Sequence, residues 1–191
     1  MNIFFEMEVE KTVAVLQSGG VILYPTDTVW GLGCDATNAE AVQKIYAVKN
    51  RADTKSVIIL LADERDLLHY VAAPDPAVFD YIEKEEKPTT IIFENAINLP
   101  ESLVAADGSI AIRIVKEPFC KHLIKRLRNP IVSTSANKSG SLTPLFFDAI
   151  TEDIKRSVDY VVQWRQDETT PAHPSRIIKW NRDGTTTVLR P

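Results

Sequence analysis

Residues 19–25 read GGVILYP and contain three structural signals in a row. Gly19-Gly20 is typical of a helix end, Val21 to Tyr24 form an unbroken apolar run, and Pro25 ends that run. Ahead of the glycines, apolar residues at helical spacing predict a helix over residues 8–18. An unbroken apolar strand is typical of a sheet that is covered on both faces. The segment therefore predicts a helix followed by a buried strand, which is the basic unit of an α/β fold.

The rest of the chain continues this alternation. Further helices are predicted over residues 38–49, 64–71, 75–85, 118–127 and 145–156, and Asn38 is placed to cap the first of them. Further strands are predicted over residues 57–61, 89–93, 109–115, 131–133, 158–162, 176–180 and 185–189, with a turn at residues 181–184. Because no repeat or linker divides the chain, we expect one α/β domain, residues 1–191, with a mixed β-sheet flanked by helices.

The composition is that of an ordinary globular protein. The 191 residues are 45% hydrophobic and 25% charged, and no apolar run approaches the ~20 residues that a membrane-spanning helix needs. The first ten residues carry glutamates where a signal peptide would carry basic residues. Cys34 and Cys120 lie outside any metal-binding spacing and are predicted to be reduced core thiols. We expect a soluble, cytoplasmic protein that has no metal site of its own.

The formal net charge of −4 hides an uneven distribution. Six basic residues and one acidic residue lie between Lys116 and Lys138, whereas residues 75–86 carry five acids and one lysine. A basic region in an acidic protein indicates a confined anionic ligand or one docking face. For residues 121–128 alone, a solvated helix face is an equally good explanation.

The first of three polar clusters follows the first strand. Residues 24–33 read YPTDTVWGLG and combine hydroxyls, a carboxylate and two glycines. Open α/β sheets bind ligands beyond strand ends, and Gly31 and Gly33 would let the backbone approach a ligand closely. Taken alone, the segment is better explained as a plain turn capped by its Thr and Asp side chains.

The second cluster, residues 49–56, reads KNRADTKS and follows a predicted helix. Lys49, Arg51 and Lys55 place three cations within seven residues, which suits a polyphosphate. Interaction with the helix dipole accounts for Lys49 but not for the other two cations.

The third cluster, residues 133–140, reads STSANKSG and follows another strand. Its hydroxyls, amide and backbone N–H groups favour an anion-binding concavity, although an ST-turn or a helix cap is the simpler alternative. No G-x-S-x-G pattern is present and no histidine is marked as a base, so a serine hydrolase is rejected. No Walker A or G-x-G-x-x-G sequence is present either.

Arg113 stands among apolar residues in the strand sequence AIRIV. A buried cation needs a partner, which is a carboxylate either of the protein or of a ligand. Outward strand alternation is a comparably good explanation.

In this order, the clusters resemble those of the YrdC-like family, in its stand-alone threonylcarbamoyl-AMP synthase (TsaC) type. The matching stretches extend over nearly the whole chain from Gly19 and comprise residues 24–33, 49–60, 111–115, 133–140, 174–175 and 189–191. Each motif is modest alone, but the ordered set is specific. The resemblance implies a YrdC-like fold, one twisted mixed α/β sheet with a deep, positively charged groove.

The resemblance further implies a nucleotidyltransferase that joins L-threonine, bicarbonate and ATP into threonylcarbamoyl-AMP and releases pyrophosphate. ATP would be a substrate accompanied by Mg²⁺, with no tightly bound cofactor. The product would serve the threonylcarbamoyl-adenosine modification of tRNA, so downstream tRNA threonylcarbamoyl-transfer proteins are implied partners. Some members are also described as binding tRNA or double-stranded RNA; no membrane partner is implied.

The family motifs assign roles to individual residues. The catalytic residues would be Lys49 and Arg51. The ATP-binding residues would be Lys49, Arg51, Lys55, Ser135, Asn137, Thr143 and Arg190. The threonine-binding residues would be Thr26, Arg113, Ser133 and Ser175.

The chain departs from the family pattern at four places, namely Ala52, Leu60, the KPTT sequence of residues 87–90, and Arg176. One alternative therefore stays open, a paralogue that binds tRNA or double-stranded RNA without synthase activity or acts on another small substrate. Hydrogenase-maturation carbamoyltransferases share the module but would carry zinc-finger and acylphosphatase segments. The polar composition of residues 160–174 predicts a mobile lid.

Overall fold

The computed structural model describes residues 2–49 and 57–191. Its strands, in chain order, are β1 (Ile22–Tyr24), β2 (Gly31–Asp35), β3 (Ile58–Leu61), β4 (Thr89–Phe93), β5 (Ile110–Ile114), β6 (Ile131–Ser135), β7 (Tyr160–Val161), β8 (Arg176–Trp180) and β9 (Thr186–Arg190). They form one sheet in the order β7-β1-β2-β6-β3-β5-β4-β8-β9. The β1–β7, β3–β5 and β4–β8 pairs are parallel and the other neighbours are antiparallel, so the sheet is mixed, as predicted.

The helices are set by caps that the sequence provides. They are α1 (Ile3–Gln17), α2 (Ala39–Val48), α3 (Ala77–Lys84), α4 (Pro118–Leu127) and α5 (Glu152–Arg156), with short 3-10 turns at Glu64–His69, Glu101–Leu103 and Phe147–Ala149. The Asn38 side chain accepts a hydrogen bond from the Ala41 N–H at 3.0 Å and caps α2, as predicted. Pro118 begins α4, where its missing N–H leaves no helical hydrogen bond unmade.

Three sequence predictions need correction. Residues 31–33, which the sequence assigns to a turn, begin strand β2 instead; the GLGCD sequence of this strand contains residues that are depleted in strands. The helix predicted over residues 145–156 is interrupted, since Ile150 and Thr151 are extended, with ψ of 127° and 148°. Helix α1 begins at residue 3 rather than residue 8, because the Asn2 side chain caps it by accepting the Phe4 N–H at 3.0 Å.

One face of the sheet is covered by α2 and α3. Alternate strand residues such as Leu32, Ile59 and Ile112 pack there with Val42 of α2 and Val78 of α3. Each of these side chains is fully buried or nearly so, which stabilises the fold by roughly 1.5–3 kcal/mol per residue.

The opposite face is covered over only part of its width. Helices α1 and α4 bury Tyr24, Leu60 and Ile131 beneath side chains that include Phe119 and Leu123. Among the described residues, no side chain of β4 or β8 belongs to this second cluster. The face therefore has a helix-covered half and an open half, and several strands run through both.

Cys34 and Cys120 are both buried and unpaired, which confirms the prediction of core thiols. Burial raises the pKa of each thiol well above its usual value. Within the described ranges, no helix combines the length and the apolar character needed to cross a membrane.

Candidate active site

A cavity of about 400 Å³ lies over the open half of the sheet face. Strand residues form its floor. Its walls come from the segments that follow α2, β1 and β6, from the segment before β8, and from single residues of β2, β6 and β9. The floor comprises Ile58, Ile92, Ala111, Arg113, Ser133, Ser135 and Ile177. The walls comprise Thr28, Val29, Gly31, Lys49, Val57, Thr134, Asn137, Ser139, Gly140, Thr143, Pro174, Ser175 and Arg190.

The cavity brings together most of the residues that the sequence singled out. Lys49, Arg113, Ser133, Ser135, Asn137, Thr143, Ser175 and Arg190 all line it. Arg51 and Lys55 lie outside the described residues. Thr26 is buried next to the cavity but is not part of its lining. The functional roles of all these residues stay predictions.

Lys49 is held at the cavity wall by the segment after β6. Its side chain is 3% exposed, and its Nζ donates to the Ser135 carbonyl at 2.8 Å and to Asn137 Oδ1 at 3.0 Å. The Ser139 N–H in turn donates to the Lys49 carbonyl at 3.2 Å. The second and third polar clusters of the sequence therefore form one hydrogen-bonded unit.

Asn137 is the centre of that unit. Its Oδ1 accepts hydrogen bonds from both Lys49 and the Ser135 hydroxyl, and its Nδ2 donates to the Ser141 carbonyl at 2.6 Å. Because all these contacts depend on one amide orientation, the side chain fixes both the ammonium and the loop that follows β6.

Arg113 has its protein partner in the first polar cluster. Its side chain is 3% exposed, and Nη2 lies 3.0 Å from Asp27 Oδ1. The angle of this ion pair is not that of a hydrogen bond, and neither Arg113 Nε nor Nη2 has a hydrogen-bond acceptor in the described part of the chain. The prediction of a carboxylate partner is confirmed, and the Arg113 side chain also lines the cavity.

Tyr24 lies behind Arg113 and explains one of the glycines. Its hydroxyl is buried without a hydrogen bond among the described residues, and burial, reinforced by the Cys120 thiol, raises its pKa well above the usual value. A Cβ on Gly33 would lie 2.6 Å from the Tyr24 ring. Gly33 therefore makes room for this ring rather than for a ligand, while Gly31 does line the cavity.

Ser175 and Arg190 close the side of the cavity formed by β8 and β9. The Ser175 hydroxyl is 2.8 Å from Thr90 Oγ1, and Arg190 Nε donates to the Ser175 carbonyl at 2.8 Å. Partial burial and then the charge of Arg113 lower the pKa of Arg190. A bound anion would relieve this repulsion between two guanidinium groups.

The lining is basic in its charged residues. Lys49, Arg113 and Arg190 line the cavity, and no acidic side chain of the described residues does. No group of three His, Cys, Asp or Glu side chains in the described ranges is arranged to hold a metal. The arrangement suits an anionic ligand.

Two departures from the family pattern face away from the cavity. Lys87 and Thr89 line a small apolar space on the other face of the sheet. Arg176 follows Ser175, so its side chain points to that same far face, where Nη1 lies 3.4 Å from Glu85 Oε2. Leu60 is in the helix-covered half and lies opposite Arg113 in the β3–β5 register. Ala52 is outside the described residues.

Sequence reasoning missed the apolar part of the floor. Ile92, Ala111 and Ile177 come from three neighbouring strands and lie on one face. Along each strand these residues alternate with residues of the core. Only the register of the sheet shows that the three lie next to one another.

The sequence model of the Sua5/YciO/YrdC family, described as "Telomere recombination", matches residues 14–191. A threonylcarbamoyl-AMP synthase of Pseudoalteromonas translucida is 33% identical over 157 residues, which cover 81% of this chain and 84% of the relative. A second one, of Idiomarina loihiensis, is 34% identical over 164 residues, covering 83% of this chain and 86% of the relative.

Solved structures share the fold. P. abyssi Sua5 complexed with L-threonine superposes with a TM-score of 0.85 at 21% identity; the match covers 97% of this chain and 54% of Sua5, so the chain spans about half of that protein. E. coli YciO superposes with a TM-score of 0.82 at 23% identity, over 97% of this chain and 89% of YciO. The family match extends over nearly the whole chain, which therefore belongs to the Sua5/YciO/YrdC family.

Proposed function

We propose that this protein is a threonylcarbamoyl-AMP synthase, which converts L-threonine, bicarbonate and ATP into threonylcarbamoyl-AMP and pyrophosphate. The observation that carries the proposal is that one cavity holds both the Lys49–Asn137 unit and the buried Arg113 guanidinium. These are the two anion-binding groups that the reaction needs, one for phosphates and one for a carboxylate. Relatives over 30% identical across most of the chain carry this enzyme name.

The reaction has two steps. The threonine amine attacks carbon dioxide derived from bicarbonate and forms a carbamate, while the amine proton and the hydroxide left by bicarbonate combine as water. A carbamate oxygen then forms a bond to the α-phosphorus of ATP as the bond to pyrophosphate breaks. The enzyme must hold two anions in line and stabilise the charge of the departing pyrophosphate.

The nucleotide would bind along the wall formed by Lys49, Ser135 and Asn137. The Lys49 ammonium is already fixed by two acceptors, so little further ordering is needed when it contacts a phosphate. Thr143 would complete this side, together with Arg51 and Lys55, and Arg190 would reach the nucleotide from the β8–β9 side, where it donates to the Ser175 carbonyl. Mg²⁺ would enter as the counterion of the ATP phosphates, since the described residues of the lining offer it no carboxylate.

L-Threonine would bind at the other end of the cavity. The guanidinium of Arg113, which lines the cavity, suits its carboxylate, and the hydroxyls of Ser133 and Ser175 suit its polar groups. Thr26 would act from behind this wall, because its hydroxyl already donates to the Val29 carbonyl at 2.9 Å. The L-threonine complex of P. abyssi Sua5 supports this substrate.

The product would pass to the proteins that transfer the threonylcarbamoyl group to tRNA. The two unpaired, buried thiols suit a reducing compartment, so we place the reaction in the cytoplasm.

The test is pyrophosphate release in the presence of ATP and Mg²⁺, with L-threonine and bicarbonate omitted in turn. We expect release only when both are present. Pyrophosphate release that continues without L-threonine or without bicarbonate would contradict the proposal. So would the absence of release by protein that has a native circular dichroism spectrum.

A further inference from the structure

Residues 162–175 connect β7 to β8, and we call this segment the strap. Although the composition of residues 160–174 predicts a lid, both ends of the strap are tied to the core. At the first end, the Gln163 N–H donates at 2.8 Å to Glu8 of α1, a fully buried carboxylate. At the other end, Ser175 lines the cavity. The strap therefore joins α1 to the candidate active site.

Arg165 has an unusual backbone conformation within the strap. Its φ is 64°, in the left-handed region that few residues other than glycine adopt. Such a conformation persists only where the surrounding contacts hold it, and it occurs preferentially near functional sites.

The Arg165 guanidinium makes three contacts at once. Nε and Nη2 donate to the two carboxylate oxygens of Glu168, each at 2.7 Å. Nη1 donates to the Thr26 carbonyl at 3.1 Å and lies 3.4 Å from Glu117 Oε1. Glu117 accepts the Cys120 N–H at 2.7 Å and so caps α4. Arg165 thus joins the strap, the loop after β1 and the start of α4.

The loop held by Arg165 separates two spaces. Thr28 lines the main cavity on one side and, on the other, a space of about 20 Å³ that also borders Arg165 and Trp30. The Thr28 N–H donates to Thr26 Oγ1 at 3.0 Å, which keeps the loop in a tight turn. A shift of this loop towards the strap would widen the main cavity.

The same loop carries the partner of Arg113. Asp27 follows the carbonyl that Arg165 holds, and its carboxylate lies 3.0 Å from Arg113 Nη2. The Lys49–Asn137 unit comes from α2 and from the segment after β6. A displaced loop would therefore disturb one end of the cavity and leave the other in place.

We propose that Arg165 is a positioning residue for the amino-acid end of the cavity. By holding the Thr26 carbonyl it fixes Asp27, and through Asp27 it orients Arg113, without contacting a substrate. The planar fork of arginine suits this task, because a lysine ammonium cannot keep both the Glu168 and the Thr26 contacts. The identity of the amino acid, L-threonine, rests on the proposed function; the contact itself does not.

The kinetic test uses Arg165→Asn, because asparagine tolerates a positive φ and its short side chain cannot make the guanidinium contacts. We expect the KM for L-threonine to rise about tenfold while the KM for ATP stays within about twofold. Arg165→Lys, which keeps the charge and should fold readily, is expected to raise the same KM less. The matched control is Arg126→Gln, since Arg126 pairs with Glu6 and Glu10 on the surface of α1 and should leave both KM values unchanged.

A second readout does not depend on turnover. Amide hydrogen exchange of residues 26–30, measured without substrates, should be about tenfold faster in Arg165→Asn than in the parent protein. An unchanged threonine KM in folded variants, equal rises of both KM values, or unchanged exchange would overturn the inference. If the parent protein releases no pyrophosphate, the proposed function fails, and the exchange experiment still decides whether Arg165 fixes the loop.

Discussion

The helix-covered and open halves of one sheet face differ in what the same strands present. Strand β6 runs through both halves, since Ile131 packs under α1 and α4 while Ser133 and Ser135 line the cavity. In the covered half the buried side chains are mainly apolar and contribute stability. In the open half, Arg113 keeps buried donors that have no hydrogen-bond acceptor among the described residues, which costs stability. Unsatisfied polar atoms do not separate the halves, because the Tyr24 hydroxyl in the covered half also lacks a partner among the described residues. The comparison teaches that the basic and hydroxyl side chains of the lining mark the functional half.

Substitutions in the covered half should change the stability of the protein but not its activity. Phe119 is fully buried and packs edge-on against Phe5, with ring centroids 5.8 Å apart. We expect Phe119→Ala to lower the free energy of unfolding by about 3–5 kcal/mol, measured by urea denaturation. Phe4→Ala on the same side, where the ring is 44% exposed, is the control and should cost less than about 1 kcal/mol. Changed KM values in folded Phe119→Ala protein would break the distinction between the halves.

The open half should control turnover. Lys49→Met removes the ammonium that lies between Ser135 and Asn137, and we expect kcat/KM for ATP to fall about 10²–10³-fold. Lys44→Met is the matched control, in the helix α2 that Lys49 caps, because Lys44 Nζ donates to the Gly19 carbonyl away from the cavity. Equal activity in the two variants, measured by pyrophosphate release, would show that the cavity is not the active site.

The boundary between the halves can be tested at two glycines. A Cβ at Gly33 would lie 2.6 Å from the Tyr24 ring and 2.9 Å from the Val132 carbonyl, so Gly33→Ala should cost about 1–3 kcal/mol of stability. At Gly31 the nearest atom to such a Cβ is Ser133 Oγ at 3.1 Å. Gly31→Ala should therefore cost less stability but lower activity, because it narrows the cavity. Thermal unfolding measures the stability of the two variants and pyrophosphate release measures their turnover. A larger loss of stability in Gly31→Ala, or a larger loss of turnover in Gly33→Ala, would contradict this prediction.

Substitution of Glu85, on the far face of the sheet, which α2 and α3 cover, should have little effect on stability and none on turnover. Burial alone would raise the pKa of Glu85, but the Lys87 N–H, the Tyr81 hydroxyl and the charge of Arg176 hold it below its usual value. A lowered pKa stabilises the folded state above the unfolded-state pKa, about 4.3, and this contribution is lost as the pH falls through the folded-state pKa.

We therefore expect Glu85→Gln to cost less than about 1 kcal/mol at pH 7, with the difference from the parent protein shrinking as the pH falls below about 4.3. Urea denaturation between pH 3 and 7 measures it, and turnover should not change. Reduced turnover would mean that the departure from the family pattern at Arg176 reaches the active site after all.

The elements that could be predicted from sequence carry their own local signals. Asn38 and Pro118 mark helix starts, and the apolar runs of β1 and β3 mark buried strands. Strand β2 could not be predicted, because glycine at residues 31 and 33 is favourable only once the Tyr24 ring lies against them.

The sequence was sufficient to predict which motifs belong to the candidate site, but not how their side chains pair in space. The family resemblance selected Lys49, Asn137 and Arg113, and the structure brings all three to one cavity. The pairing of Arg113 with Asp27 depends on how a strand and a distant loop meet, which no local pattern records. The role of Arg165 depends on a backbone conformation that its sequence does not favour.

The central claim is that the open half of the sheet face forms threonylcarbamoyl-AMP. The most direct measurement is mass spectrometry of a short reaction with ATP, Mg²⁺, L-threonine and ¹³C-labelled bicarbonate. The account predicts a threonyl-containing adenylate that carries one ¹³C atom and is absent from the reaction of Lys49→Met. An adenylate without the label, or no adenylate from folded protein, would contradict it.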